Sequence, residues 1–127
     1  MLATSDKEAN LREAEEWIRR AHAAGARLVA LPEVFNWRGY GVDTVANAES
    51  IPGPSTERMS ALAAELGLYL LAGSVLEKAC QEGSAYNTSV LIGPETGVVA
   101  TYRKIHLFDV DIEGEDAIRE SEYRRPG

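Results

Sequence analysis

The spacing of apolar residues in the first quarter of the chain predicts an amphipathic helix over residues 6–24. Its apolar stripe repeats at intervals of three and four residues and consists of Leu11, Ala14, Trp17, Ile18 and Ala21. Ser5 and Glu8 have the spacing of an S-x-x-E capping box, so we expect them to start the helix. Gly25 is expected to end it. Within this stripe, Trp17 is interpreted as a packing residue.

A second helix is predicted after Pro54, a residue well suited to the first turn of a helix. Its stripe consists of Met59, Leu62, Ala63 and Leu66, and Gly67 is its predicted end. Residues 35–54, between the two helices, are rich in Gly, Asn and Pro and predict a loop.

Four segments have the composition of β-strands. Leu28–Leu31 is an unbroken apolar run, which is typical of a central strand covered on both faces. Leu68–Leu76 predicts a second strand, while Tyr86–Ile92 and Val98–Lys104 predict an antiparallel hairpin. The order α-β-α-β-β-β predicts one α/β domain with a mixed sheet covered by two helices.

This order lacks the strand from which the first helix should cross over to the sheet. Only Met1–Thr4 precede that helix. We therefore expect residues 1–127 to form a partial domain that is incomplete at its start.

Composition narrows the possible partners. The formal charge is −7, with 20 acidic and 13 basic residues, which argues against nucleic-acid or membrane-surface binding. One cysteine and two histidines predict neither a disulfide framework nor a metal site, and no cofactor is expected. The sequence has no apolar run near the length of a membrane span and no signal-peptide pattern, so a cytoplasmic location is expected.

Glu33 is the first candidate for chemistry, because it follows the carboxyl end of an apolar strand. Open α/β sheets bind ligands at that end of their strands. A carboxylate beside a buried strand tip tends to have a raised pKa and can act as a general base. The alternative is that Glu33 is an ordinary solvated loop glutamate. Its position in the chain, taken alone, favours this alternative.

Lys104 is the second candidate. In the last strand, Val98, Ala100, Tyr102 and Lys104 share one face, and this face is the more apolar of the two. A lysine on such a face needs a partner charge or a functional role. The alternative, equally weighted, is a strand-end lysine whose ammonium extends to water.

Other polar residues receive structural interpretations. Asn87 could satisfy backbone groups or line a pocket, and the structural role is preferred. His106 and Asp109 are expected to form hydrogen bonds within a loop, and Arg103 to pair with an acidic neighbour. Cys80 lies in a polar loop whose acidic neighbours disfavour a thiolate, so it is interpreted as an incidental surface cysteine.

Several longer segments resemble the nitrilase (carbon–nitrogen hydrolase) superfamily. The resemblance is carried by LVALPEVFNWRG at residues 28–39 and YRKIHLFDVDI at residues 102–112. It continues in IPGPSTERMSALAAELGLYLLAGSVLE and AYNTSVLIGPETG, and spans nearly the whole chain. The stretch KIHLFDVDI is most similar to the branch that contains omega-amidases and deaminated-glutathione amidases.

The resemblance implies a four-layer αββα sandwich, of which this chain would be the N-terminal half, and a Glu-Lys-Cys site. It assigns the general base to Glu33 and the oxyanion-stabilising cation to Lys104. The step Glu120-Ser121 matches a second active-site glutamate in this branch, which implies a catalytic role for Glu120. The implied substrate is a small linear amide, with omega-amides of keto acids the first choice and nitriles or carbamoyl compounds as alternatives. The complete protein would form a homo-oligomer.

Two departures from the family pattern qualify these expectations. The family's nucleophilic cysteine follows the lysine, whereas Cys80 precedes Lys104. We therefore expect the domain to be incomplete at its end as well as at its start. The chain would be a piece of a longer enzyme that is inactive alone and whose open sheet surface promotes association. The alternative is a non-catalytic truncated product, or a partner subunit of a full-length relative. The second departure is Ile112-Glu113-Gly114, which stands where relatives usually have Pro-Gly, so the loop before Glu120 is expected to differ.

Overall fold

The computed structural model describes residues 1–39, 41–80, 83–111, 113 and 117–127. Its helices and strands follow the predicted order α-β-α-β-β-β, with a short hairpin after them. They are α1 (Lys7–Ala23), β1 (Leu28–Ala30), α2 (Pro54–Leu66), β2 (Tyr69–Lys78), β3 (Ala85–Gly93), β4 (Gly97–Arg103), β5 (Asp109–Val110) and β6 (Ile118–Arg119). Short 3-10 turns cover Gly41–Asp43 and Glu120–Glu122.

Strands β1 to β4 form one mixed sheet in the order β1-β2-β3-β4. β1 runs parallel to β2, with Val29 opposite Leu70, and the other two pairs are antiparallel. A bulge interrupts β2 between Ala72 and Val75. Gly73 lies in this bulge, and a Cβ atom there would be 2.1 Å from the Leu31 carbonyl oxygen. Only glycine therefore allows the end of β1 to approach β2 this closely.

Both helices pack on the sheet and share one hydrophobic core with it. α1 contributes Leu11, Ala14 and Ile18, and α2 contributes Met59, Leu62 and Ala63, while Leu70, Ala72, Val90 and Ile92 come from the strands. The predicted apolar stripes are thus confirmed for most of their residues. In the described part of the chain, no helix is long and apolar enough to cross a membrane.

The packing role predicted for Trp17 is wrong. Its side chain is 45% exposed. The indole nitrogen donates to a Glu13 carboxylate oxygen at 3.2 Å, and the Arg20 guanidinium lies 4.8 Å from the ring centroid. Trp17 sits one position outside the buried stripe, where an amphipathic ring can stack with neighbours on its own helix.

The predicted start of α1 also needs correction. The N-cap is Asp6, whose carboxylate accepts from the Ala9 N–H at 2.9 Å, so the Ser5 and Glu8 box does not form. Aspartate is as good an N-cap as serine, and its position one residue later fits the helix register. The predicted ends are confirmed. Gly25 follows α1 with a φ of 92°, and Gly67 caps α2 with a φ of 64°.

β1 is not the central strand that its composition predicted. It pairs only with β2 in the described sheet, and Leu28 is 59% exposed. Tyr69, Val99 and Tyr102 are also at least half exposed, so the sheet carries open apolar surface. The association expected from that surface stays a prediction.

Phe35→Ala is expected to destabilise the chain by about 3–5 kcal/mol. Phe35 is fully buried in the core shared by the helices and the sheet, so truncation leaves a cavity that close packing cannot fill. Urea unfolding of the 127-residue chain, followed by circular dichroism, measures the loss. Phe108→Ala is the matched control, because that ring is 54% exposed. Equal losses for the two variants would contradict the described core.

Candidate active site

A cavity of about 310 Å³ lies where three connecting segments of the fold meet. Glu33, from the turn after β1, and Lys104, from the residue after β4, both line it. Glu120, from the 3-10 turn after β6, lines it as well. The structure therefore brings together all three residues that the sequence proposed for the site, although they are far apart along the chain.

The turn that carries Glu33 is held in an unusual backbone conformation. Val34 has a φ of 50°, a left-handed value that is strongly disfavoured for a β-branched residue. Ser74, in the β2 bulge, fixes this turn. Its hydroxyl accepts from the Val34 N–H at 3.0 Å, and its carbonyl accepts from the Phe35 N–H at 3.1 Å. Strain of this kind persists only where the surroundings over-determine it, and it concentrates at functional sites.

Lys104 lies between the two glutamates. Its ammonium nitrogen is 3.3 Å from Oε1 of Glu33 and 3.0 Å from Oε2 of Glu120. The Glu33 side chain is 57% exposed and the Glu120 side chain only 9%, so the lysine connects an accessible carboxylate to a buried one. Glu120 is held further by the Phe108 N–H, which donates to its Oε2 at 2.8 Å.

Asn87 is a site residue that the sequence interpretation missed. It is almost fully buried, and its amide nitrogen donates to Glu33 Oε1 at 2.5 Å. The backbone carbonyl oxygen of Asn87 also accepts from the backbone N–H of Lys104 at 2.8 Å. The structural role preferred for Asn87 is therefore incomplete, because this residue ties the backbone of Lys104 to the carboxylate of Glu33. The sequence signals were its position on a strand next to that of Lys104 and its place in the segment AYNTSVLIGPETG, which resembles the family.

The pKa of Glu33 lies below its ordinary value. Burial works in the opposite direction, but the Asn87 hydrogen bond and the charge of Lys104 outweigh it. The raised pKa expected from a strand-tip position is therefore wrong. Burial likewise disfavours the charged form of Lys104, yet Glu120 and then Glu33 raise the lysine pKa above its usual value. At neutral pH the site thus holds an ionised carboxylate that can accept a proton and a permanent cation.

The strand-face argument for Lys104 is only partly correct. Val99 has no partner in β3 and forms a bulge in β4. The bulge separates Val98 from Ala100, which the sequence had placed on one face. Val98 packs against the core, whereas Tyr102, beyond the bulge, is 57% exposed. Lys104 reaches the cavity because of its position at the strand end, not because its whole strand face is buried.

The remaining polar predictions have mixed outcomes. Arg103 pairs with Glu77 at 2.6 Å, as predicted. Asp109 accepts from the Ser121 N–H at 3.1 Å, but it lies at the start of β5 and its partner lies in the 3-10 turn after β6, so the bond is not within one loop as predicted. Cys80 is exposed in the β2–β3 connection. Among the described residues, no three His, Cys, Asp or Glu side chains are grouped to hold a metal ion. Ile112 and Gly114, in the loop predicted to differ from relatives, lie outside the described residues.

Asn87→Ala is expected to raise the pKa of Glu33, because it removes the strongest interaction that favours the carboxylate. A lowered pKa stabilises the fold above the unfolded value of about 4.3, and this contribution is lost as the pH falls through the folded value. The variant should therefore lose part of the stability that ionised Glu33 contributes at neutral pH. Carbon-detected NMR titration of the Glu33 carboxylate measures the shift. Ser89→Ala, two residues along β3, is the control, and an equal shift in both variants would refute the assignment.

The sequence profile of the carbon–nitrogen hydrolase family matches residues 2–127. The chain belongs to the carbon–nitrogen hydrolase family. Omega-amidase NIT2 of Xenopus tropicalis is 44% identical over 127 residues, which cover 99% of this chain and 45% of the relative. Human omega-amidase NIT2 is 42% identical over 125 residues, covering 98% of this chain and 44% of the relative. The predicted resemblance to the nitrilase superfamily, on its omega-amidase branch, is confirmed.

Solved structures of the carbon–nitrogen hydrolase fold agree with this assignment. The Caenorhabditis elegans NitFhit protein superposes with a TM-score of 0.83 at 28% identity, covering the whole of this chain and 31% of that one. Saccharomyces cerevisiae Nit3, a member of branch 10 of the nitrilase superfamily, superposes with a TM-score of 0.79 at 29% identity. The match covers 98% of this chain and 45% of Nit3. The chain thus spans less than half the length of these relatives, as a partial domain of the predicted sandwich would.

Proposed function

We propose that this chain supplies the general base and the oxyanion-stabilising cation of a linear amidase of the omega-amidase type. The observation that carries the proposal is the placement of Lys104 between Glu33 and Glu120 in the wall of one cavity. In a family of carbon–nitrogen hydrolases, a carboxylate and an ammonium group side by side suit the two charge demands of amide cleavage.

In the proposed reaction, the Glu33 carboxylate takes the proton of a cysteine thiol, and the thiolate attacks the amide carbon. The Lys104 ammonium stabilises the negative oxygen of the tetrahedral intermediate. Collapse of the intermediate releases ammonia, which leaves with the proton from Glu33, and water then cleaves the thioester to the carboxylic acid. Glu120 keeps Lys104 charged and in place.

The nucleophilic thiol in this proposal comes from outside the 127 residues. Cys80 is the chain's only cysteine, and it is exposed in the β2–β3 connection. The described wall of the cavity contains no cysteine. We therefore propose that the chain alone hydrolyses no amide. The complete enzyme is proposed to act on small amides as a homo-oligomer.

Ammonia release from succinamate, the monoamide of succinic acid, tests the proposal. The chain alone should release none. A chimera in which residues 1–127 replace the matched part of Xenopus tropicalis omega-amidase NIT2 should hydrolyse succinamate, because the relative's remaining sequence completes the fold. Alkylation of thiols should abolish this activity.

Cys80→Ser is the matched control. The chimera with this substitution should remain active and remain sensitive to alkylation, because Cys80 is not the nucleophile. A folded but inactive chimera, alongside an active parent enzyme, would contradict the proposed function. Amide hydrolysis by the chain alone, lost on Cys80→Ser, would contradict the external thiol.

A further inference from the structure

Two cations that line the cavity, Arg38 and Arg124, have no part in the proposed reaction, and Arg124 is the one that contacts a site carboxylate. Its side chain is only 13% exposed, and one of its terminal nitrogens donates to Oε1 of Glu120. Its Nε atom is buried and has no hydrogen-bond partner among the described residues. Burying a guanidinium is costly unless its charge is compensated, and the pairing with Glu120 supplies that compensation, while the Tyr123 ring lies 5.7 Å from the guanidinium.

The backbone places Arg124 precisely relative to the rest of the site. The Ala85 N–H donates to the Tyr123 carbonyl at 3.2 Å, and the Arg125 N–H donates to the Ala85 carbonyl at 2.9 Å. Arg124 is thereby fixed against the first residue of β3, the strand that also carries Asn87. The contacts of Asn87 with Glu33 and of Arg124 with Glu120 therefore depend on the same strand.

The two oxygens of Glu120 are divided between two cations. Oε1 accepts from Arg124, and Oε2 accepts from Lys104 and from the Phe108 N–H. Together with Glu33, these groups form a set of two carboxylates and two cations. Without Arg124, both carboxylates of this set would depend on Lys104 for their ion pairs. Glu120 is the more buried carboxylate and would hold the lysine more strongly.

We propose that Arg124 is a positioning residue for the site, which holds Glu120 from the side opposite Lys104 and so leaves Lys104 able to face Glu33. This inference deepens the proposed function and rests on it for its catalytic consequence. Its structural consequence can be measured in the 127-residue chain without any activity.

The first test follows the ammonium signal of Lys104 by NMR in Arg124→Met, with Arg125→Met as the control. Arg125 is the next residue, carries the same charge and is exposed. We expect the Lys104 signal to move in Arg124→Met and to stay in Arg125→Met. The charge of Arg124 also contributes, as the smallest of the causes, to the lowered pKa of Glu33, whereas the inferred positioning runs through Glu120. The same substitution in a Glu120→Gln background should therefore move the Lys104 signal little further. Equal movement in both backgrounds, or none in either, would overturn the inference.

The second test uses the chimera. Arg124→Met should lower kcat/KM for succinamate about tenfold to a hundredfold, the loss expected for a hydrogen bond to a charged group. Most of the loss should fall in kcat, and Arg124→Lys should recover part of it. Arg124→Gln keeps a donor without the charge, so it replaces Arg124→Met if that variant fails to fold. Recovery by Arg124→Gln equal to that by Arg124→Lys would overturn the charge argument.

The two proposals fail in different ways. An inactive chimera with a displaced Lys104 signal in Arg124→Met would contradict the proposed function and support the positioning role. An active chimera in which Arg124→Met changes neither the rate nor the Lys104 signal would support the proposed function and contradict the positioning role.

Discussion

Replacing Lys104 by methionine in the chimera is expected to lower kcat for succinamate hydrolysis by about 100- to 1,000-fold, the usual cost of losing one oxyanion-stabilising donor. Methionine keeps the length and apolar stem of the side chain but not the charge. KM should change much less, because the ammonium interacts mainly with charge that develops in the transition state. Steady-state ammonia release measures both constants.

Lys78→Met is the control for this substitution, because Lys78 is exposed at the end of β2. The removal of Lys104 also leaves two carboxylates without their shared cation, so the melting temperature of each chimera should be measured alongside the rate. A folded Lys104→Met chimera within about threefold of the parent kcat would contradict the assigned role.

Glu33→Gln in the chimera is expected to lower kcat by about 100- to 10,000-fold, the range that general-base catalysis usually contributes. The substitution preserves size and lets the side-chain carbonyl accept from Asn87, but it removes the group that takes the thiol proton. Glu95→Gln, in the exposed turn between β3 and β4, is the control and should leave the rate unchanged.

The lowered pKa of Glu33 adds a pH dependence to this prediction. The carboxylate stays ionised further into the acidic range than an ordinary glutamate, so kcat/KM should not begin to fall at the usual carboxylate pKa of about 4.3 but below it. A rate that already declines between neutral pH and that value would show that another group limits the reaction, or that Lys104 and Asn87 do not control Glu33 as described.

The helices and strands of this fold were predictable because each has a strong local signal. The stripes at Leu11 to Ile18 and Met59 to Ala63 have helical periodicity, and Gly25 and Gly67 end their helices as expected. The environment of β1 was not predictable, because an apolar run does not reveal how many neighbours a strand has. The bulge at Val99 could not be predicted from the sequence either, because it depends on how β4 pairs with β3.

The site residues likewise divide into those that the sequence predicted and those that it did not. Glu33, Lys104 and Glu120 stand in family motifs, so a resemblance could propose them. Asn87 lies in the segment AYNTSVLIGPETG, which also resembles the family, but the resemblance assigned it no role, and Arg124 lies outside the quoted segments. Asn87 looks like any polar strand residue, and Arg124 lies in a charged tail without periodicity. The contact of Arg124 with Glu120 depends on the packing of that tail against β3, and the contacts of Asn87 depend on the packing of β3 against the turn after β1 and the end of β4. Both are tertiary events. The left-handed backbone of Val34 likewise has no local sequence signal, because valine is among the residues that least favour it.

The most direct test of the account is mass spectrometry of the chimera quenched during turnover of succinamate. If Glu33 activates the thiol and Lys104 stabilises the first tetrahedral intermediate, both act before the thioester forms. The parent chimera and its Cys80→Ser variant should then accumulate an acyl adduct on a cysteine contributed by the relative, while Glu33→Gln and Lys104→Met should form almost none. An adduct that forms as fast in Glu33→Gln as in the parent would contradict the central claim.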